Sequence, residues 1–144
     1  MSRRSVAAAW RSATWRRRLL AVEACFELVR ARVLTLLPPR VYTKSLGEPC
    51  KTPADPITAH APDEAAEIGK VVANAAARLP FRAMCLEQVI AVRRMLRRRD
   101  CAPVIFLGVR EENITDAHAW LTVGRTVISG DGDLSAFRIL TAFR

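Results

Sequence analysis

The sequence predicts an α+β fold in which helices come first and a small antiparallel sheet follows. Up to about residue 99 the apolar residues recur every three or four positions, as they do along one face of a helix. From Pro103 onwards the apolar residues alternate with polar ones, and Gly124-Arg125 separates two alternating segments, as in a hairpin. We therefore expect helices that pack against a sheet built around this hairpin.

The length of the chain predicts a single domain. With 144 residues it is long enough for one hydrophobic core but too short for a second. We divide the domain, residues 1–144, into an N-terminal helix with a proline-rich connector, 1–62, and a core that carries the chemistry, 63–144.

Residues 5–37 predict a long first helix that ends at Pro38-Pro39. Its large apolar residues follow one another at alternate steps of four and three and form a single stripe: Trp15, Leu19, Val22, Phe26, Val29, Val33 and Leu36. We expect this stripe to pack against the rest of the domain. A partner helix or a membrane surface is the alternative.

Proline dominates the next segment, residues 38–62, which we predict to be an extended connector on the surface with His60 exposed. Pro62 is expected to be the first residue of the following helix. Two amphipathic helices are then predicted at 63–79 and 85–99, and we expect the arginines of the second to face solvent.

The predicted elements after these helices are a buried strand at 103–109, a polar loop at 110–116, a hairpin of 118–123 with 126–130, and a tail at 134–143. The first strand is short, apolar and rich in β-branched residues. Gly124 in the first position of a two-residue turn suits type II′. In the tail, Phe137, Leu140 and Phe143 lie at helical spacing.

The composition is that of a soluble folded protein with an excess of positive charge. The net charge is +9, and 20 of the 23 basic residues are arginines, which cluster at 16–18 and 93–99. We interpret both clusters as solvated helix faces; a nucleic acid, an anionic membrane or an acidic peptide is the alternative partner. The absence of a helix-turn-helix, RNP or zinc-finger pattern leads us to expect no nucleic acid.

The four cysteines, Cys25, Cys50, Cys85 and Cys101, predict reduced thiols in a cytoplasmic protein. They form no CxxC pair and the chain has two histidines, so we expect neither a metal nor a cofactor. An even number of cysteines also suits two disulfides, but the first residues lack the apolar stretch of a secretory signal. No uncharged run reaches 18 residues, so no membrane span is expected.

Cys85 lies where a predicted helix begins. A helix N-terminus carries partial positive charge, which favours the thiolate, and its free N–H groups point towards an oxyanion that forms beside the sulfur. Cys85 is therefore a candidate nucleophile. The ordinary role of a lone cysteine at such a place is that of a small buried apolar residue.

His118 is the candidate base that a cysteine nucleophile needs. With a two-residue turn at 124–125, His118 falls directly opposite Asp131 on one face of the hairpin, so that Asp131 would fix the imidazole tautomer. A shift of one residue would move Asp131 off this face, and Asp133 and Asp116 are then the other candidates. A further alternative is a buried histidine that a loop carboxylate caps, without any role for the cysteine.

Short motifs between residues 85 and 137 carry a resemblance to a known family. These motifs are Cys85-Leu86 at the start of a helix, the arginines at its end, a strand ending Leu107-Gly108-Val109, and His118-Ala119-Trp120 in the hairpin. Together they resemble the transglutaminase-like cysteine peptidases that mature lasso peptides. The chain departs from that family at 121–124, where its relatives often have an acidic residue and Asp-Gly.

The resemblance implies a transglutaminase-like core, in which a catalytic helix packs on a small antiparallel sheet. It implies a triad of Cys85, His118 and Asp131 that cuts the leader from a ribosomally made precursor. The implied partners are the precursor leader, a lasso cyclase similar to asparagine synthetases and, because the chain begins directly with the long helix, a separate leader-recognition protein. Acyl transfer or deamidation at the same site is an alternative, as is a non-enzymatic basic protein that binds nucleic acid or serves as a scaffold.

Overall fold

A computed structural model describes residues 3–50 and 63–144, with side chains from residue 14 onwards, so His60 and Pro62 lie outside the described residues. The helices are α1 (Arg3–Thr35), α2 (Pro39–Leu46), α3 (Asp63–Arg78) and α4 (Cys85–Arg97). The strands are β1 (Pro49–Cys50), β2 (Val104–Arg110), β3 (Asn113–Val123), β4 (Thr126–Ser129) and β5 (Phe137–Phe143). The predicted α+β class is confirmed.

The five strands form one antiparallel sheet in the order β1-β5-β2-β3-β4. Helices α3 and α4 pack against β4 and β3, and α1 packs on α3 and α4. The molecule therefore has three layers, with α1 outermost. Its core lies between the sheet and the middle helices, where Ile105 and Leu121 of the sheet and Ile68 and Ile90 of the helices are all but inaccessible to solvent.

Helix α1 buries a different face from the one predicted. The stripe from Trp15 to Leu36 points to solvent, with each large side chain 46–71% exposed. The buried face instead carries Leu20, Ala24 and Leu28, together with a second alanine one turn further along. Its alanines let α1 lie close to α3 and α4, which larger side chains would prevent. Although α1 is 33 residues long, no described helix is apolar enough to cross a membrane.

The arginines at the end of α4 do not simply face solvent, because they bind two carboxylates of α1. Arg94 Nε donates to Glu27 Oε1 at 3.2 Å, and Arg98 Nη2 donates to the same oxygen. Glu23 accepts from Arg98 and Arg99 at 2.8 Å, and hydrogen bonds from these guanidinium groups, that of Arg99 first, lower the pKa of Glu23. Arg94, Arg97 and Arg98 are exposed, as the sequence predicts, but the ion pairs of Arg94, Arg98 and Arg99 with α1 were not predicted.

Three segments for which no strand was predicted contain one. The expected connector begins with α2 and the short β1, and β3 starts at Asn113, within the expected loop. The tail is the strand β5 and not a helix. Leu107 pairs with Thr141 and Gly108 with Ile139, so Leu140 is the extra residue of a β-bulge. This insertion interrupts the alternation of β5, which is why its apolar residues have the spacing of a helix.

We expect Glu27→Gln to lower the free energy of unfolding by about 2 kcal/mol, because Glu27 is 1% exposed and its charge pairs with three arginines, two of them on α4. Urea unfolding of both proteins measures the difference. The matched control is Glu67→Gln, which removes an ion pair with the exposed Arg16 and should cost less than about 0.5 kcal/mol. Equal effects of the two substitutions would show that the buried carboxylate does not fasten the helices.

Candidate active site

Cys85 is the first residue of α4 and is half-buried. The residue before it, Met84, is extended, and the first hydrogen bond of the helix runs from Gln88 N to Met84 O at 3.1 Å. The amides of Cys85 and Leu86 therefore precede the helical hydrogen-bond ladder, and with no acceptor among the described residues they can bind an anion. The predicted position of this thiol at a helix N-terminus is confirmed.

Glu87 fixes the start of this helix. The amide of Met84 donates to Glu87 Oε2 at 2.8 Å, while Arg32 Nη1 and Thr35 Oγ1 donate to Oε1, each at 2.9 Å. Glu87 is 2% exposed, so α1 holds the first turn of α4 through a buried carboxylate. The sequence analysis missed this residue. A glutamate at the third position of a helix, as in a capping box, is the sequence signal that could have identified it.

His118 lies in the middle of β3, not at its start as predicted, because β3 begins five residues earlier. It pairs with Gly108 of β2. Its ring lies beside two aromatic rings, with centroids 6.0 Å from Trp120 and 5.1 Å from Phe137. These rings limit the orientations that the imidazole can adopt.

The carbonyl of Gly130 orients the imidazole of His118. Nε2 lies 2.8 Å from Gly130 O, and because a carbonyl only accepts hydrogen bonds, Nε2 carries the hydrogen. In the neutral ring the lone pair is then on Nδ1, which is the nitrogen that can take a proton. Gly130 has a φ of +79°, and a Cβ there would lie 2.4 Å from Ala119 O. This close approach of the two strands requires glycine.

The predicted register of the hairpin is correct at the turn and wrong beyond it. The pairs beside the turn, Val123 with Thr126 and Thr122 with Val127, are as predicted, but Leu121 then pairs with Ser129. Ile128 is therefore an extra residue, and its bulge shifts every later position by one. The bulge packs on α3: a Cβ at Gly69 would lie 2.1 Å from Ile128 O.

The three candidate acids have different surroundings. The bulge removes the direct opposition of Asp131 and His118, so that inference from the register is corrected. Asp131 follows Gly130 and is exposed, and the described residues give it no hydrogen bond or ion pair. Asp133 accepts a hydrogen bond from the nearby serine hydroxyl, and Asp116 pairs with Arg110 at 2.7 Å. The one hydrogen bond of the His118 side chain to a described residue is to the Gly130 carbonyl.

A pocket of about 640 Å³ lies beside the start of α4. Its walls are the end of α3 and the chain that follows it, with small and apolar side chains such as Ala76, Leu79 and Phe81. Gln88 also lines the pocket and donates to Ala83 O at 3.1 Å. Arg82 lines the pocket as well, so the pocket offers a partly apolar and partly polar surface within one helical turn of Cys85.

Comparison with known proteins gives one finding. The profile described as the transglutaminase-like superfamily matches residues 24–142, from the middle of α1 to β5, and the chain belongs to this superfamily. Its members are generally cysteine proteases or acyltransferases. No curated protein and no solved structure matches the chain. Within the described residues, no group of three or more His, Cys, Asp or Glu side chains could hold a metal ion.

We expect Gly130→Ala to break the hydrogen bond of His118, because the new Cβ would collide with the backbone of β3. Nitrogen-15 NMR of the histidine ring reports the result directly, as a change in the Nε2 and Nδ1 shifts towards a mixture of tautomers. The control is Gly132→Ala. Gly132 also has a positive φ, but no atom lies within 4 Å of its Cβ position, so the ring signals should not change. Identical spectra for both variants would contradict the orienting role of Gly130.

Proposed function

We propose that this protein is a cysteine peptidase that removes the leader from a ribosomally synthesised lasso-peptide precursor before macrocyclisation. The observation that carries the proposal is a thiol at the N-terminus of α4 together with an oriented imidazole on β3, the strand against which α4 packs. Membership of the transglutaminase-like superfamily supports a thiol nucleophile. The Cys85-Leu86 and His118-Ala119-Trp120 motifs support the narrower assignment to leader removal.

The proposed reaction uses His118 first as a base and then as an acid. The Cys85 thiol gives its proton to His118 Nδ1, and Sγ attacks the scissile carbonyl. The amides at the start of α4 stabilise the oxyanion. As the C–N bond breaks, His118 gives the proton to the departing amine of the core peptide. A water molecule, deprotonated by His118, then hydrolyses the thioester and releases the leader with a free carboxylate.

Asp131 is the proposed acidic member of the triad. Since the Gly130 carbonyl already holds Nε2, the role we assign to Asp131 is electrostatic. Its carboxylate directly follows that carbonyl in the chain and would favour the imidazolium that forms during the reaction. Its contribution to the rate should therefore be smaller than that of Cys85 or His118.

The pocket beside α4 supports an extended peptide as the substrate, with one apolar side chain near the scissile bond lying against Leu79 and Phe81. We propose further that the precursor leader reaches the site with a separate leader-recognition protein, and that a lasso cyclase similar to asparagine synthetases takes the product. The family resemblance supports both partners. A cytoplasmic location fits a reaction that needs a free thiol.

Acyl transfer or deamidation is the second candidate, because the superfamily also contains acyltransferases and both reactions pass through the same thioester. Mass spectrometry of the products separates the candidates: a cleaved leader supports the peptidase, and a new isopeptide bond supports the transferase. The arginine pairs at the end of α4 count against a nucleic-acid scaffold, since Arg94, Arg98 and Arg99 already bind acids of the same chain.

Substituting either reacting group should abolish the reaction. We expect Cys85→Ala and His118→Ala each to lower the rate of leader cleavage by about 10³-fold or more, with the fold intact by circular dichroism. The assay follows cleavage of a precursor encoded near this gene. The control is Cys101→Ala: burial raises the pKa of the Cys101 thiol, and this cysteine should be dispensable. Full activity in Cys85→Ala would overturn the proposed function.

The two neighbouring aspartates should differ in their effects. We expect Asp131→Asn to slow cleavage by about tenfold and Asp133→Asn by less than about twofold, because Asp133 is bonded to a serine whereas Asp131 has no partner among the described residues. The pH dependence of kcat/KM gives a second measurement, since loss of a nearby negative charge should move the limb due to His118 to lower pH. The reverse order of effects would show that Asp131 is not the acidic member.

A further inference from the structure

The outward face of α1 carries an apolar surface that the proposed function does not use. Seven large side chains form it, and each is 46–71% exposed: Trp15, Leu19, Val22, Phe26, Val29, Val33 and Leu36. We call this surface the outer stripe. At 1.5 Å per residue it runs for about 30 Å along the helix. Scattered apolar residues are normal on a protein surface, but an unbroken row of this length is typical of an interaction site.

The spacing of the outer stripe indicates a helical partner. The steps between its members alternate between four and three, an average of 3.5, which is the repeat of a coiled-coil seam. On a straight helix with 3.6 residues per turn, such a row drifts by about 20° per heptad. A second helix that crosses at about +20° follows this drift. A flat membrane surface does not, and it would favour a broader apolar face.

The charges along the outer stripe indicate the chemistry of that partner. The positions that flank a coiled-coil seam are occupied here by Arg16, Arg18, Arg30 and Arg32, with Glu23 the one acid among them. The carboxylate of Glu23 is already bound by two arginines of α4. Arg18 makes no ion pair within the described residues and is exposed. Arg16, Arg30 and Arg32 are also paired within the chain, with Glu64 and Glu67, with Glu27 and with Glu87. In the whole network of described ion pairs around α1, however, seven arginines share five carboxylates, and Arg18 adds a charge outside that network. The surface around the stripe therefore keeps an excess of positive charge, which acidic side chains complement.

The same charges disfavour a second copy of this chain as the partner. In an antiparallel pair of copies, arginine would face arginine at both borders of the stripe, and in each copy the arginines of the network outnumber the carboxylates that they bind. A parallel pair would offer Arg18 only Glu23, whose carboxylate is already engaged within its own chain. Like charges opposed across a helical interface are destabilising.

We propose that the outer stripe of α1 docks an amphipathic helix of another protein, whose apolar seam is flanked by acidic residues. The buried alanine face of α1 holds the helix on α3 and α4, so the stripe is presented on a rigid support. This inference goes beyond the proposed function and does not depend on it, because the stripe and its charges are independent of what Cys85 does.

Two synthetic helical peptides test the proposal. Both carry leucines at the 3.5-residue spacing, and they differ only in the flanking positions, which are glutamates in one and lysines in the other. We expect the protein to bind the glutamate peptide at least about tenfold more tightly by fluorescence anisotropy. The double substitution Phe26→Ser with Val29→Ser should weaken that binding by at least about tenfold. Both side chains are exposed, so the melting temperature should not fall.

The matched control is Ile114→Ser, which removes a 75% exposed apolar side chain from β3, outside the stripe, and should leave binding unchanged. Equal binding of the two peptides, or binding that the double substitution does not affect, would overturn the proposal. So would two rival outcomes. One is binding to phosphatidylglycerol vesicles but not to the glutamate peptide. The other is a dimer in sedimentation experiments that the double substitution dissociates.

Discussion

Ion pairs with two buried carboxylates join α1 to α4, one near each end of α4, and the rest of the structure depends on this constraint. The two helices run antiparallel. At the start of α4, Glu87 binds Arg32 of α1, and towards its end Arg94 binds Glu27 of α1. Turning either helix about its axis would leave a buried charge without a partner, which is strongly destabilising. These ion pairs therefore determine which face of α1 is turned towards α4.

This constraint explains why the larger apolar face of α1 is the outer one. Hydrophobic burial alone would favour placing Trp15 and Phe26 against the core. The ion pairs instead face α4 on the side that carries Ala24 and Leu28, so these smaller residues are what α1 contributes to the core. The same constraint supports the candidate site, since the buried Glu87 sets where α4 begins and hence where the thiol lies.

The sequence predicts well those elements whose signals are local. Nearby prolines and glycines and the local spacing of apolar residues determine the helix limits at 63–79 and 85–99, the strand at 103–109 and the turn at 124–125. The features that the sequence does not predict depend on contacts between residues that are far apart in the chain. The bulge at Ile128 forms against Gly69 of α3. Nothing in the sequence around either residue indicates that the two are in contact. Position 85 for the thiol was therefore predictable, whereas the carbonyl that orients His118 was not.

The position of β5 in the sheet limits how early the sheet can be completed during folding. Strand β5 is the last described strand along the chain, yet it lies between β1 and β2. Until β5 has been synthesised, one edge of β2 has no partner, and an open edge of this kind pairs readily with other chains. Closing β1 onto β5 also brings together the most distant strands in the sequence, and such non-local contacts form slowly. We expect the sheet to be completed late, after the helices have already covered its other face.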